Sequence, residues 1–206
     1  MSPKVADPAQ RVALIEAAAR LIAEHGSDAL SLRRLAGEVG ASTMAIYTHF
    51  GSMDEVRRAV RREGFARLGA HMSSVEETDD AVADLILMGA AYFANALTNP
   101  NLYRAMFMDG PADEADAVVG VETFFQLVQA VERCVQAGRF DDDDTTRMAT
   151  QVWALSHGVV TLHLAGFLPE EFALESFRSG GQNLFKAFGD DPRALARSVK
   201  RSARVA

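Results

Sequence analysis

A chain of 206 residues, 49% hydrophobic and 24% charged, holds enough apolar material for a real core and fits two modest domains or one elongated one. Its single cysteine, Cys134, excludes an intrachain disulfide and suits a reducing compartment. The net charge of −7 divides unevenly: residues 1–72 hold ten Lys or Arg against eight Asp or Glu, whereas residues 73–206 hold eleven against twenty, so a mildly basic end precedes an acidic body.

The opening MSPKVADPAQ carries one lysine and no apolar run, as expected of neither a secretory signal nor a membrane anchor. The longest expected apolar region, Trp153 to Leu168, is too short to cross a bilayer and is interrupted by Ser156, His157, Gly158, Thr161, His163 and Gly166. The expected location is the cytoplasm, with no membrane partner.

The first helix is predicted from Asp7 or Pro8 to His25, with Val12, Ile15, Ala18, Ala19 and Ile22 as its buried stripe and Gly26 as its stop. Ser31 then suits the cap of a short helix on which Leu32, Leu35, Ala36 and Val39 recur at three- and four-residue spacing. Gly40 ends it, and Ser42 caps a second helix two residues later, which makes a helix-turn-helix. On that second helix Ile46 and Phe50 point inward, leaving Thr43, Met44, Tyr47 and Thr48 outside. Small polar groups at a helix N-terminus suit entry into a major groove. By pattern alone, a DNA-reading helix and an ordinary surface hairpin are equally well served.

The order Ser31, Leu35-Ala36, Gly40-Ala41-Ser42, Ile46-Tyr47, His49-Phe50 and a helix start near Asp54 resembles the DNA-binding domain of the tetracycline-repressor (TetR) family of bacterial regulators. The resemblance covers roughly the first 70 residues in detail, and the remaining chain agrees in length and helical layout. It implies that the second helix reads the major groove and that the Tyr-x-His-Phe segment touches phosphates. The candidate DNA contacts are Ser31, Arg33, Ser42, Thr43, Met44, Tyr47, Thr48, His49 and Arg57. Where the family usually places a lysine at the start of the next helix this chain has Met53, and Arg57, Arg58 or Arg61 could replace that contact only in part.

A fourth helix is expected from Asp54 to about His71, its acidic start matching the positive end of a helix dipole. The polar stretch Ser73 to Asp80 reads as a junction. Helical periods follow over Ala81–Leu97, Asn101–Met108, Ala115–Ala137, Thr145–Ala165 and Glu170–Phe188, with a loop at Asp109–Asp113 and Gly138 as a stop. Gly180-Gly181 could bend the last of these. Asp141–Asp144 reads as an acidic helix start, since a calcium loop needs alternating ligands, a glycine and a glutamate. The fold class is all-α: a helix-turn-helix domain over residues 1–53, a connecting helix over 54–72, a helical effector-binding and dimerisation domain over 73–190, and a basic, disordered tail over 191–206.

The segment Trp153-Ala-Leu-Ser-His157-Gly158 also resembles the Trp-His-Gly motif of one class of TetR-family C-terminal domain. The helix around it is apolar nearly all round and must be buried on two sides, so it and the last helix are expected to pair in a homodimer through Val152, Leu155, Val159, Leu162, Phe177 and Leu184. The resemblance implies an effector pocket, with Met88, Tyr92, Tyr103, Met106, Phe107, Phe125, Trp153 and His157 as candidate lining. Such a wall favours a largely apolar, neutral or weakly polar molecule.

No catalytic constellation, metal set or cofactor motif is present. His157 and His163, six apart, fall on different sides of a helix, and Cys134 reads as a buried inert thiol. The reading is a ligand-responsive regulator, more often a repressor, on a palindromic double-stranded operator. The rivals are a helical enzyme or small-molecule carrier and a ligand-independent DNA-organising protein.

Overall fold

The computed structural model describes residues 7–108 and 118–204. Among the described residues ten α-helices and one 3-10 turn form, and no strand. The chain divides into two compact units, one made of residues 1–67 with 99–120, the other of 68–98 with 121–206.

The first unit contains α1 (Pro8–His25), the 3-10 turn Ser27–Ala29, α2 (Leu32–Val39), α3 (Thr43–Phe50), most of α4 (Met53–Ser73) and α6 (Pro100–Met108). Asp7 caps α1 by accepting from the Ala9 N–H at 3.0 Å, and Gly26 ends it at φ 80°. α1 is apolar on two sides: Leu14, Ile15, Ala18, Leu21 and Ile22 are at most 3% exposed. Val12, expected in its buried stripe, is 50% exposed, because Leu14, Ala17 and Leu21 supply the second buried face instead.

That second face explains where α6 goes. Leu102 and Ala105 of α6 join the same core as α1, Leu35, Ile46, Val56 and Val60. α4 approaches α6 closely at Gly64, where an added Cβ would lie 2.4 Å from Cγ and Sδ of Met106. Arg67 ties three helices together, donating to Glu16 on α1, to Glu63 at 2.8 Å on its own helix, and to Asn99 Oδ1 at 2.8 Å before α6. The expected linear division at 53 and 72 is therefore corrected, since α6 returns to the N-terminal unit.

The second unit holds α5 (Ala81–Thr98), α7 (Val121–Gln136), α8 (Thr145–Leu164), α9 (Glu170–Ala187) and α10 (Pro192–Ser202). α8 packs against α7, α9 and α5. The helix expected from Ala115 begins only at Val121, after Gly120 at φ 93°; its first positions and the expected loop Asp109–Asp113 lie outside the described residues. Gly180-Gly181 leaves α9 unbroken.

The largest correction concerns the tail. Residues 192–202 form α10, because Asp191 accepts from the Arg193 and Ala194 N–H groups at 3.1 and 2.9 Å and Pro192 suits a first turn. Leu195, Ser198 and Ser202, three and four apart, are at most 5% exposed. A polar network holds this helix down. Arg139 clasps Asp190 through two bonds of 2.7 and 2.9 Å and reaches Asp80 at 3.3 Å, while the Ser198 hydroxyl donates to Asp80 at 2.8 Å. Nearby, Asp84 accepts from the Thr78 N–H at 2.7 Å and from Arg133 at 2.9 Å.

Among the described helices, Ala81–Thr98 rather than Trp153–Leu168 is long and apolar enough to cross a bilayer, with a mean hydropathy of 1.5. Its buried Asp84 and Asn95 and the half of its length packed inside the unit mark it as a core helix.

Candidate nucleic-acid interface

The two helices of the motif are each set by a serine. The Ser31 Oγ accepts from the Arg34 N–H at 3.4 Å and the Ser42 Oγ from the Ala45 N–H at 3.1 Å, so each hydroxyl still has its proton to donate. Between them Gly40 turns the chain at φ 64°, and the Ala41 N–H donates to the Ala36 carbonyl at 2.9 Å, closing α2 and aiming α3.

α3 is divided sharply by exposure. Ile46 and Phe50 are 1% and 8% exposed and join the core of the first unit, whereas Met44 and Tyr47 are 70% and 48% exposed and Thr43 and Thr48 lie beside them. A 70% exposed methionine beside a half-exposed tyrosine, on a helix that faces no other part of its unit there, is an apolar and hydrogen-bonding surface without a use inside the fold. The Thr48 hydroxyl donates to the Met44 carbonyl at 2.9 Å, which leaves its methyl and lone pairs outward.

The flanking candidates differ in freedom. Arg33 and Arg34 are exposed on α2. Arg57 is half-buried, paired with Asp54 at 3.0 Å and donating to the Ser27 carbonyl at 3.3 Å, so it braces the 3-10 turn against α4. His49 is also half-buried, its Nε2 3.1 Å from Gln10 Oε1, and Arg11 lies 5.2 Å from the Phe50 ring centroid. Together these contacts fix the end of α3 to α1. Met53 packs against the core instead of projecting a cation, and the Ser52 Oγ caps α4 by accepting from the Glu55 N–H at 3.2 Å.

The eight candidate pocket residues separate into two groups. Tyr103 and Met106 are each 2% exposed inside the first unit, with Phe107 between the rings of Tyr103 and Phe65 at 5.2 and 5.7 Å. In the second unit Tyr92 Oη stands 3.5 Å from His157 Nδ1, and Trp153 is 6.0 Å from His157 and 5.9 Å from Phe124 between ring centroids. Met88 is half-buried there, and Phe125 is 56% exposed. Burial lowers the pKa of His157 below its usual value, so the imidazole is neutral at neutral pH. None of the eight lines a cavity of about 560 Å³ in the second unit, walled by Ala83, Leu87, Ala90, Ala91 and Ala94 of α5. The signal for it in the sequence is the stripe of small residues on α5, which periodicity alone reads as core.

Five of the six candidate dimer residues are buried or half-buried within the second unit, and Leu162 is exposed. Val152 and Val159 are 9% and 8% exposed and belong to the unit's own core, because α8 turns that side toward its neighbours. Leu155 is held against Gly180, where an added Cβ would lie 3.0 Å from its methyl carbons, and Phe177 packs edge-on to Phe93 at 5.4 Å. Leu184 is half-buried. The apolar side chains left exposed on this unit include Leu162 at 45%, Phe167 at 76% and Phe172 at 60%, besides Val121, Phe125 and Trp153. Cys134 is fully buried, and that burial pushes its thiol up to about 12.

Known proteins bear on this geometry. Residues 14–60 match the family model described as bacterial regulatory proteins, tetR family, and residues 85–180 match one described as tetracyclin repressor-like, C-terminal domain. An uncharacterised helix-turn-helix-type transcriptional regulator of Mycobacterium tuberculosis is 27% identical over 172 residues, 81% of this chain and 76% of that one. The helix-turn-helix-type transcriptional repressor AcnR of Corynebacterium efficiens is 38% identical over 63 residues, 31% of this chain and 34% of that one. The crystal structure of the regulator PfmR from Thermus thermophilus shares the fold, with a TM-score of 0.71 at 22% identity over 84% of this chain and 97% of that one. With two models of one family matched in order and the helix-turn-helix built as they require, the chain belongs to the TetR family of DNA-binding bacterial regulators.

Proposed function

We propose that this regulator is a repressor that binds a palindromic operator as a two-fold dimer and leaves it when a small, largely apolar effector is bound. The observation that carries the DNA half of this reading is the outward face of α3, where Thr43, Met44, Tyr47 and Thr48 are exposed while Ile46 and Phe50 hold the helix rigidly from behind. In this reading Ser31, Ser42 and Arg33 hold the phosphate backbone, and Tyr47 and Met44 meet the groove. His49 and Arg57 act by bracing α3 and α4, through Gln10 and Ser27. The sign of regulation follows the relative named as a repressor over its DNA-binding part. A duplex selected from a random-sequence library serves as the operator. On it Tyr47→Ala should weaken binding by about 1 to 3 kcal/mol with an unchanged melting temperature. Full affinity in the folded variant would remove the assignment.

The effector half is supported by the group Tyr92, Trp153 and His157, in which aromatic area surrounds two neutral hydrogen-bonding handles. A neutral imidazole there suits a neutral or weakly polar guest. Release from DNA requires that the guest prefer one of two arrangements of the DNA-reading ends, and α4, which carries residues of both units, is one of the three places where the chain passes from one unit to the other. Thermal-shift screening followed by operator release should find apolar ligands whose effect is weakened in Trp153→Ala. Release by metal ions or polyanions alone would contradict this. The dimer is supported by Leu162, Phe167 and Phe172, whose exposure is large for a lone subunit. A folded monomer in sedimentation at micromolar concentration would refute it.

A further inference from the structure

The acidic body has one segment of opposite sign. Residues 73–191 hold six Lys or Arg and twenty Asp or Glu, a balance of −14, whereas residues 192–206 hold five basic residues and no acidic one. Four of the five, Arg193, Arg197, Lys200 and Arg204, follow one another at spacings of four, three and four. They therefore share one face from α10 into the turn after it, over a length of about 16 Å. All four are exposed, and among the described residues none of them has a salt-bridge partner; only Arg201, off this face, is paired, with Asp79 at 2.6 Å.

The stripe is presented on a fixed platform. Leu195, Ser198 and Ser202 bury the opposite face, and the Arg139, Asp80 and Asp190 network holds Ser198 in place. Internal needs account for little of this charge. Cations in the last turn complement the helix dipole, which covers Lys200 and Arg204, but Arg193 stands in the first turn, where the dipole disfavours a cation. An anionic membrane is a poor match, since an interfacial helix needs an outward apolar face and that of α10 is turned inward. A rod-like polyanion lying along the helix can meet all four charges at once.

We propose that the outward stripe of α10 is a second, sequence-independent binding surface for the phosphate backbone of double-stranded DNA. It rests on the reading of the chain as a DNA-binding regulator and adds to α3 a contact that strengthens binding without choosing sequence. Local duplex concentration is then raised by the one part of the body that the remaining acidic surface does not repel.

The test compares the full-length protein with R193Q/R197Q/K200Q, whose changes are all on the surface, on a mixed-sequence duplex of about 60 base pairs and on the library-selected duplex. Each lost phosphate contact lowers the slope of log K against log salt by about 0.9, so three should make it shallower by roughly 2.7. Between about 50 and about 200 mM salt the wild type should then lose roughly 40-fold more affinity than the triple variant, on both duplexes alike. Equal slopes with an intact circular-dichroism melt would overturn the proposal. So would equal slopes accompanied by loss of binding to phosphatidylglycerol vesicles, which would assign the stripe to a lipid surface. Tyr47→Ala separates the two readings: it should lower the preference for the selected duplex roughly 5- to 150-fold while keeping the part of the slope that depends on α10.

Discussion

Replacing Arg139 by leucine tests how α10 is held. Arg139 is the bidentate partner of Asp190, whose side chain has no exposed surface, and its guanidinium also reaches Asp80 and Ser198. Losing it strands a carboxylate that water does not reach, a change that costs about 3 to 5 kcal/mol. The arginine is itself 20% exposed, so part of its charge is already screened and the lower end, about 3 kcal/mol, is expected. At roughly 2 to 4 °C per kcal/mol for a chain of this size, the melting temperature should fall by about 6 to 12 °C. Urea unfolding followed by far-ultraviolet circular dichroism gives the free energy directly. The double variant R139M/D190L should recover at least half of the loss, because an apolar replacement of a buried pair is close to neutral while a stranded charge is not. A loss under about 1 kcal/mol for Arg139→Leu, or no recovery in the double variant, would mean that the network does not hold α10.

Three other outcomes follow from individual contacts. Phe50→Ala removes a ring that is 8% exposed from the core beneath α3 and should cost about 3 to 5 kcal/mol in urea unfolding, in contrast to the fold-neutral Tyr47→Ala three residues earlier, where the ring is 48% exposed. Gly64→Ala places a Cβ 2.4 Å from Met106 Cγ and Sδ and should cost about 1 to 3 kcal/mol, and because Met106→Ala removes the same clash, the double variant should lose less than the sum of the two single losses. Burial lowers the pKa of His157 from 6.5, so the unfolded chain takes up a proton first on acidification. The stability it contributes is complete above 6.5 and is lost as pH falls from there toward the lower folded value. His157→Gln should flatten the stability profile in that window, and an unchanged profile would count against burial of the imidazole.

Much of this fold is decided within a few residues along the chain. Ser31, Gly40 and Ser42 set the turn through their own backbone and hydroxyl chemistry, and the spacing of Ile46 and Phe50 selects the outward residues of α3, so the candidate DNA surface was legible before any packing was known. The same holds for the stops at Gly26 and Gly138, which adopt positive φ as a chain ending a helix there requires.

What the sequence left open concerns helices with more than one apolar side, where periodicity identifies buried faces without saying what covers them. α1 buries Leu14 and Leu21 against partners that leave Val12 in solvent, α6 returns to the first unit through Leu102 and Gly64, and α8 turns Val152 and Val159 into its own core. The basic C-terminal residues show the same dependence. By composition residues 192–206 are a polar tail, and only Asp190, Asp80 and Arg139, brought together from distant positions, supply the partners that dock α10 by one buried face and leave its charged face outside. Capping and turn chemistry act between neighbours in sequence and can be read there, whereas the choice of a helix's partner depends on groups more than fifty residues away.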